Sequence, residues 1–407
     1  MNSFNTKFFR RCSTALIVAS AGVLGPAASG LSAQSTSVRL EYRHRPGEVM
    51  HIDSTVNEAV YRNGLYTHDA IIEESAVVET TAVDPDRSAA LDATFRTVER
   101  ISGLPGYVEW VSDESVRMTR DVLGRLTVPE TATRPVLRDV PVFPDRDLAP
   151  GDQWTAAASE VHVFRIGEGL YGPYRGDFTV AYTHLGSRRL DGESLVRIGI
   201  SYAMYIPIHR AGEPVRLVSG RSEAELLWDV AAGIPRFKSE DFEFFMALSD
   251  GSTLEFRGTQ DVEYRVVSRL DRDEAAARIR RDLEHLPGIA VDPADDGVRI
   301  VLDDTGPILF APESAEISAD QRRRLEALRD ALAAYGDRDV LISGHTADYG
   351  TAEGRRRLST RRAAAVADLL FPGGREGPGR LYLRGRGSEE PVGSDEQNRR
   401  VEIWILD

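Results

Sequence analysis

A chain of 407 residues, 42% of them hydrophobic, holds enough apolar material for two or three ordinary cores at roughly 150 residues per domain. A formal net charge of −14 argues against nucleic acid as a main partner. The lone cysteine, Cys12, precedes the first apolar run, so the chain after it has no disulfide, no thiolate nucleophile and no cysteine-bound metal.

Residues 1–33 read as a secretory signal. Lys7, Arg10 and Arg11 form a basic start, Thr14 to Gly25 an apolar run, and the small residues of "PAASGLSAQ" place cleavage between Ala28 and Gln34. The run is shorter than the about 20 apolar residues a membrane-spanning helix needs. The expectation is an exported protein, periplasmic or associated with the outer membrane.

Residues 34–265 read as an all-β region of short strands, an antiparallel sandwich or barrel. "SVRLEYRHRPGEVMHIDSTV" breaks at Pro46-Gly47 between two β-rich segments, and Asn63-Gly64 is a hairpin signal of the type I′ kind. "RFKSEDFEFFMALSDGSTLEFRGTQDVEYRVV" predicts two or three strands with a turn at Asp250-Gly251. The stretch from Leu137 to Trp154, rich in proline and aspartate, marks a loop or a split into two lobes. An outer-membrane barrel is an alternative for the region, because the strand signal of such barrels is weak.

From Ser268 helical periods enter. Asp271 with Glu274, and Ser318 with Gln321, are helix-start signatures, and Pro287-Gly288 ends the first helix. Leu325, Leu328, Leu332 and Tyr335 stripe the second helix. "GIAVDPADDGVRIVL", "DVLISGHT", "RLYLRGRG" and "RRVEIWIL" supply strands, so residues 268–407, with a core at 298–407, predict a compact α/β domain.

In the helix "TAEGRRRLSTRRAAAVADLLF", Leu358, Arg362, Ala365, Val366 and Leu369 share one stripe. A guanidinium on an apolar face needs a partner: a structural ion pair, or a ligand carboxylate that it grips with two hydrogen bonds. The preceding loop "TADYG" feeds a helix start, a natural anion site, and Gly350 permits close approach there. Asp348 could take an ammonium, so the loop and Arg362 together suit a group bearing both charges, such as an amino acid.

"LFAPESAEI", "GHTADYGTAEGRRRLSTRRAAAV" and "NRRVEIWI" resemble, in order and spacing, the OmpA-like C-terminal domain shared by OmpA-type porins, peptidoglycan-associated lipoproteins and MotB. The resemblance implies an α/β domain of βαβαββ-type order that binds peptidoglycan non-covalently through the diamino acid of the stem peptide. It carries the ligand-holding arginine to Arg362 and adds Thr346, Leu358 and Asn398 as matching positions. The usual aspartate after "GHT" is Ala347 here, with Asp348 one place later, and the asparagine often found three residues before "LS" is Arg355. These departures leave the diamino acid unassigned.

No catalytic residue, metal ligand set or cofactor is expected. The histidines are scattered, no H-E-x-x-H, P-loop or G-x-S-x-G occurs, and His345 lacks a second histidine at ligand spacing. A stator-like subunit would need an uncleaved apolar helix, usually with an acidic residue, which Thr14 to Gly25 lacks. The function expected is an envelope tether: peptidoglycan on one side, an outer-membrane or other envelope protein held by the β region on the other.

Overall fold

The computed structural model describes residues 37–100, 108–167, 169–190, 192–286, 288–303, 310–311, 313–372 and 380–406. The expected secretory signal and Pro287 lie outside the described residues. The chain divides into two compact units: unit 1 takes the residues up to Phe95 and Asp113–Val266, and unit 2 takes Arg96–Ser112 and Val267–Asp407.

Unit 1 is built from β1 (Glu48–Arg62), β2 (Leu65–Val83), β3 (Ala89–Arg100) as far as Phe95, β4 (Val108–Arg120) from Asp113, the two-residue β5 (Leu126–Thr127) and β6 (Leu137–Arg138), β7 (Gln153–Ile166), β8 (Gly169–Leu190), β9 (Glu193–Pro207), β10 (Val215–Asp229), β11 (Ile234–Leu248) and β12 (Thr253–Ser268) as far as Val266. β7 to β12 form an antiparallel meander, and β12 then pairs with β1 and β1 with β2. The result is a large antiparallel sheet nearly closed into a barrel. Across the remaining gap, Arg134 reaches Glu74 at 3.1 Å, and Arg175 donates to the carbonyl of Ala132 at 3.2 Å.

The strands are longer than the sequence suggests. Glycines absorb irregularities inside them: Gly172 and Gly186, both at positive φ, sit beside the register shifts of β8 against β7 and β9. The segment before Pro46 gives only an isolated bridge, Val38 to Leu148, and the expected two or three strands around Asp250-Gly251 are two. The Asn63-Gly64 turn has φ of 51° and 75°, both positive as a type I′ turn requires.

Inward residues alternate along each strand. One apolar cluster includes Met204, Val218, Phe242 and Phe244, and a second includes Ile198, Tyr182, Leu226 and Trp228. Between them runs a polar belt. His162 Nε2 lies 2.8 Å from a Glu160 oxygen, and Tyr202 donates to Glu160 at 3.1 Å. Ser222 donates to Glu240 at 2.9 Å, Lys238 to Gln260 at 2.9 Å and Gln260 to Ser54 at 2.7 Å. Lys238 also pairs with Glu240. The outward face is charged instead, with Arg197 on Glu225 and Arg221 on Glu243, each at 2.6 Å.

Unit 2 follows with α1 (Arg272–Leu283), β13 (Ile289–Ala294), β14 (Gly297–Asp303), α2 (Ala319–Leu332), β15 (Val340–His345), α3 (Ala352–Leu370), β16 (Leu381–Gly387), the short α4 (Asp395–Asn398) and β17 (Arg400–Leu406). From β14 onward this is the βαβαββ order, with α4 in the last connection. The sheet runs β13-β14-β17-β15-β16, parallel only between β15 and β16. Asp271 and Ser318 cap α1 and α2, accepting the N–H of Glu274 and Gln321.

The helices cover one face through Ile279, Leu328, Ile342, Val366 and Ile403. Residues 96–112, from the sequence of the β region, belong to this unit. Val108 and Glu109 pair in parallel with Tyr382 and Leu383, extending the sheet beyond β16. Val98 packs with Leu341, Tyr382 and Leu406, on the sheet positions alternate to the helix-facing set. Arg96 reaches the fully buried Asp339 at 3.3 Å, and Asp339 also accepts the N–H of Arg380 at 2.9 Å.

Candidate functional site

The C-terminal end of β15, the N-terminal half of α3 and the end of β16 meet around "GHTADYG". Their backbones approach closely because Gly344 and Gly385 lack side chains: a Cβ at Gly344 would strike the carbonyl of Ser359, and one at Gly385 the hydroxyl of Thr360. Ser359 closes the junction, accepting the N–H of Gly387 at 2.9 Å.

The loop leaves β15 with Thr346 donating its N–H to the carbonyl of Gly387 at 2.7 Å. Ala347 turns inward and is buried. Asp348 turns outward, its side chain 80% exposed, and is held by Arg355 and Ser388, each at 3.1 Å. Arg355 also donates to the carbonyl of Gly350 at 2.6 Å, and Gly350 takes φ of 79°. Thr351 then caps α3, accepting the N–H of Gly354. The aspartate displaced by one residue therefore meets the arginine that stands in place of the usual asparagine.

Arg362 is buried on α3, beside the core position Val366, while Arg361 is exposed. The buried face is centred about one residue from the expected stripe, so Leu358, Ala365 and Leu369 lie at its margin. Arg362 is met by the chain's own backbone: Nε donates to Ser314 O at 2.9 Å and Nη2 to Ala311 O at 3.3 Å, with the guanidinium over the ring of Phe310 at 5.0 Å. The guanidinium thus holds the segment leading into α2 against α3.

The opposite rim is the segment from Ser388 to Arg399. Asn398 shapes it from within, accepting the N–H of Val392 at 2.8 Å and donating to the carbonyl of Gly393 at 3.1 Å. Tyr349 reaches across, its hydroxyl 2.5 Å from Asp395, and this contact raises the tyrosine's pKa. Tyr349, Ser388 and Asp395 escaped the sequence reading. A signal was present, since Ser394 and Gln397 repeat the capping-box signature already read at Ser318, and they form one here.

His345 lies buried beneath the loop, its nitrogens 3.9 Å from Glu390 and 4.0 Å from Glu402. Burial, then the charge of Arg400, lowers its pKa to about 4. Burial pushes the Glu402 carboxyl up, but the Arg400 bond at 2.7 Å and the neighbouring charges outweigh it and hold the carboxyl below its ordinary range. Among the described residues, no group of three or more histidine, cysteine or acidic side chains is placed to hold a metal ion.

Residues 309–402, which contain every candidate residue of this site, match the OmpA family. This stretch is an OmpA-family domain. Its sequence is 38% identical over 100 residues to the peptidoglycan-associated lipoprotein of Pseudomonas putida, covering 23% of this chain and 59% of that protein. It is 35% identical over 106 residues to the peptidoglycan-binding protein ArfA of Mycobacterium bovis, covering 25% of this chain and 32% of that one. Among solved structures, the cell wall anchor of the T6SS from Pseudomonas aeruginosa is 30% identical, covering 32% of this chain and 96% of that one with a TM-score of 0.27. The chain spans 58–65% of the length of four lipoprotein relatives. These resemblances concern the OmpA-family domain and leave unit 1 to be read from its own geometry.

Proposed function

We propose that the OmpA-family domain holds peptidoglycan non-covalently and so tethers unit 1, an exported non-catalytic module, to the cell wall. The observation that carries the reading is the OmpA-family match over 309–402, with relatives named for peptidoglycan. The ligand is the stem-peptide diamino acid, lying between Thr346–Gly350 and the Ser388–Arg399 segment. The exposed carboxylate of Asp348 faces its ammonium group. Arg362 supplies positive charge at the floor and keeps the Ala311–Ser314 segment in place; Leu358 and Asn398 support the two sides. Because Arg355 already neutralises part of Asp348, ammonium binding is weaker than at an unpaired aspartate.

An outer-membrane barrel carrying the same anchor is the second reading, favoured by the near closure of the sheet. The outward pairs Arg197–Glu225 and Arg221–Glu243 speak against it, since arginine on the lipid face costs about 2–4 kcal/mol at the midplane. On the tether reading, unit 1 is the part that meets another envelope component.

The test is co-sedimentation of the full chain with insoluble peptidoglycan, used whole because unit 2 includes residues 96–112. The chain is expected in the pellet at physiological salt, and a chain left in the supernatant would refute the reading. Arg362→Ala is expected to weaken pelleting about tenfold while far-ultraviolet circular dichroism stays native, the loss of one charge-assisted contact. Unchanged pelleting would remove Arg362 from the site.

A further inference from the structure

In an antiparallel meander alternate turns fall at the same end. The β1–β2, β7–β8, β9–β10 and β11–β12 connections therefore share one rim of unit 1. Contacts agree: the N–H of Asn63 donates to the carbonyl of Thr253 at 3.0 Å, and that of Ser249 to the carbonyl of Pro214 at 2.8 Å.

This rim gathers exposed apolar surface. Leu65 is 74% exposed, Tyr66 58%, Leu170 66% and Tyr205 67%. They are four of the seven large apolar side chains that unit 1 exposes among the described residues, and all four lie at strand ends beside the turns. Leu65 opens β2 after the turn glycine Gly64 and Leu170 is the second residue of β8; both leave apolar area in water, an arrangement that marks interaction sites when it is clustered.

Charge divides along the same axis. Segments 62–66, 165–170, 205–216 and 248–253 carry four arginines (Arg62, Arg165, Arg210, Arg216) against three acids, a net of +1. The segments at the other end, 84–88, 121–125, 145–152, 190–193 and 229–234, carry nine acids against three arginines, a net of −6. An acidic protein thus presents its least negative end together with its most exposed leucine and tyrosine side chains.

We infer that this rim docks on the surface of a lipid bilayer bearing anionic headgroups, without crossing it. Apolar side chains at strand ends beside three separate turns suit a flat, deformable surface, where leucine enters the acyl boundary and tyrosine and arginine sit at headgroup level. The charge difference between the two ends turns the rim toward such a surface. The inference rests on unit 1 alone and stands or falls independently of wall binding.

The experiment is vesicle flotation of the full chain without peptidoglycan, on phosphatidylcholine alone and on phosphatidylcholine mixed with phosphatidylglycerol. The chain is expected to float, and more so on the mixed vesicles. The combined variant Leu65→Ser, Tyr66→Ser, Leu170→Ser and Tyr205→Ser is expected to bind at least about tenfold more weakly, from the apolar area withdrawn. The N-terminal apolar run is common to both proteins, so the difference isolates the rim. Leu65→Ser alone, expected to give part of that loss, serves if the combined variant does not keep the wild-type melting curve. Arg165→Ser with Arg216→Ser is expected to abolish only the preference for phosphatidylglycerol. Failure of the wild type to float, or equal flotation of wild type and variants, overturns the inference. A wild-type dimer in sedimentation equilibrium, lost in the variant and without vesicle binding, overturns it by assigning the rim to a second copy.

Discussion

In unit 1, Glu160 and Glu240 lie in the belt between the two apolar clusters, each satisfied by one side chain of its own strand and one of another strand. In unit 2, Arg362 is satisfied by two backbone carbonyls, and Arg400 and Glu402 meet on one strand near the Thr346–Gly350 loop. A belt made of side chains depends on each member, because deleting one leaves the others buried and unpaired. A buried guanidinium held by carbonyls constrains the backbone that presents them, which suits a site whose loops must be positioned.

The largest expected effect sharpens this contrast. Glu240→Ala leaves Ser222 without its acceptor and Lys238 without its carboxylate, and should destabilise unit 1 by about 3–5 kcal/mol. Urea unfolding followed by tryptophan emission reads it, since Trp154 and Trp228 lie in unit 1 and Trp404 in unit 2. A loss below about 1 kcal/mol, the range of an exposed pair, would break the contrast.

A second effect asks whether the units differ in acid. His345 in unit 2 and His44 in unit 1 both have pKa values lowered to about 4, chiefly by burial and then by Arg400 and Arg120 respectively. Unfolded, each titrates near 6.5. Between pH 6.5 and 4 the unfolded chain binds the proton and the folded chain does not, so both units lose stability as pH falls through that window. For His345 the loss is about 3 kcal/mol at most. His345→Gln should flatten the response of unit 2 alone, and a response that stays in unit 2 would place its origin elsewhere, with Glu402 the first alternative.

The smallest effect is local. Glu313, exposed and at φ of 57°, lies next to the Ser314 carbonyl that Arg362 holds. Glu313→Gly removes the Cβ clash of that conformation and should stabilise unit 2 by about 1 kcal/mol, read from the same urea curves. A destabilised variant would mean that the side chain makes up for its strain.

Most of unit 2 was legible because its signals are local: caps at Asp271 and Ser318, helical periods, and short buried strands. Arg362 was legible as a cation on an apolar stripe, though its carbonyl partners lie about fifty residues away in sequence. Three things were hidden. Lys238 and Glu240 occupy the same inward alternation as Phe242 and Phe244, so a belt inside the barrel looks like a solvent face. The register shifts beside Gly172 and Gly186 carry no local signal, because a bulge and a turn use the same residue. The pairing of residues 108–109 with β16 spans more than 270 positions, beyond any local pattern.

That distant pairing also decides how the two units are joined. The chain passes between them at Phe95–Arg96, at Ser112–Asp113 and at Val266–Val267. The units are thus joined by three covalent crossings rather than by one linker. A single nick by a protease at any of these crossings leaves two intact.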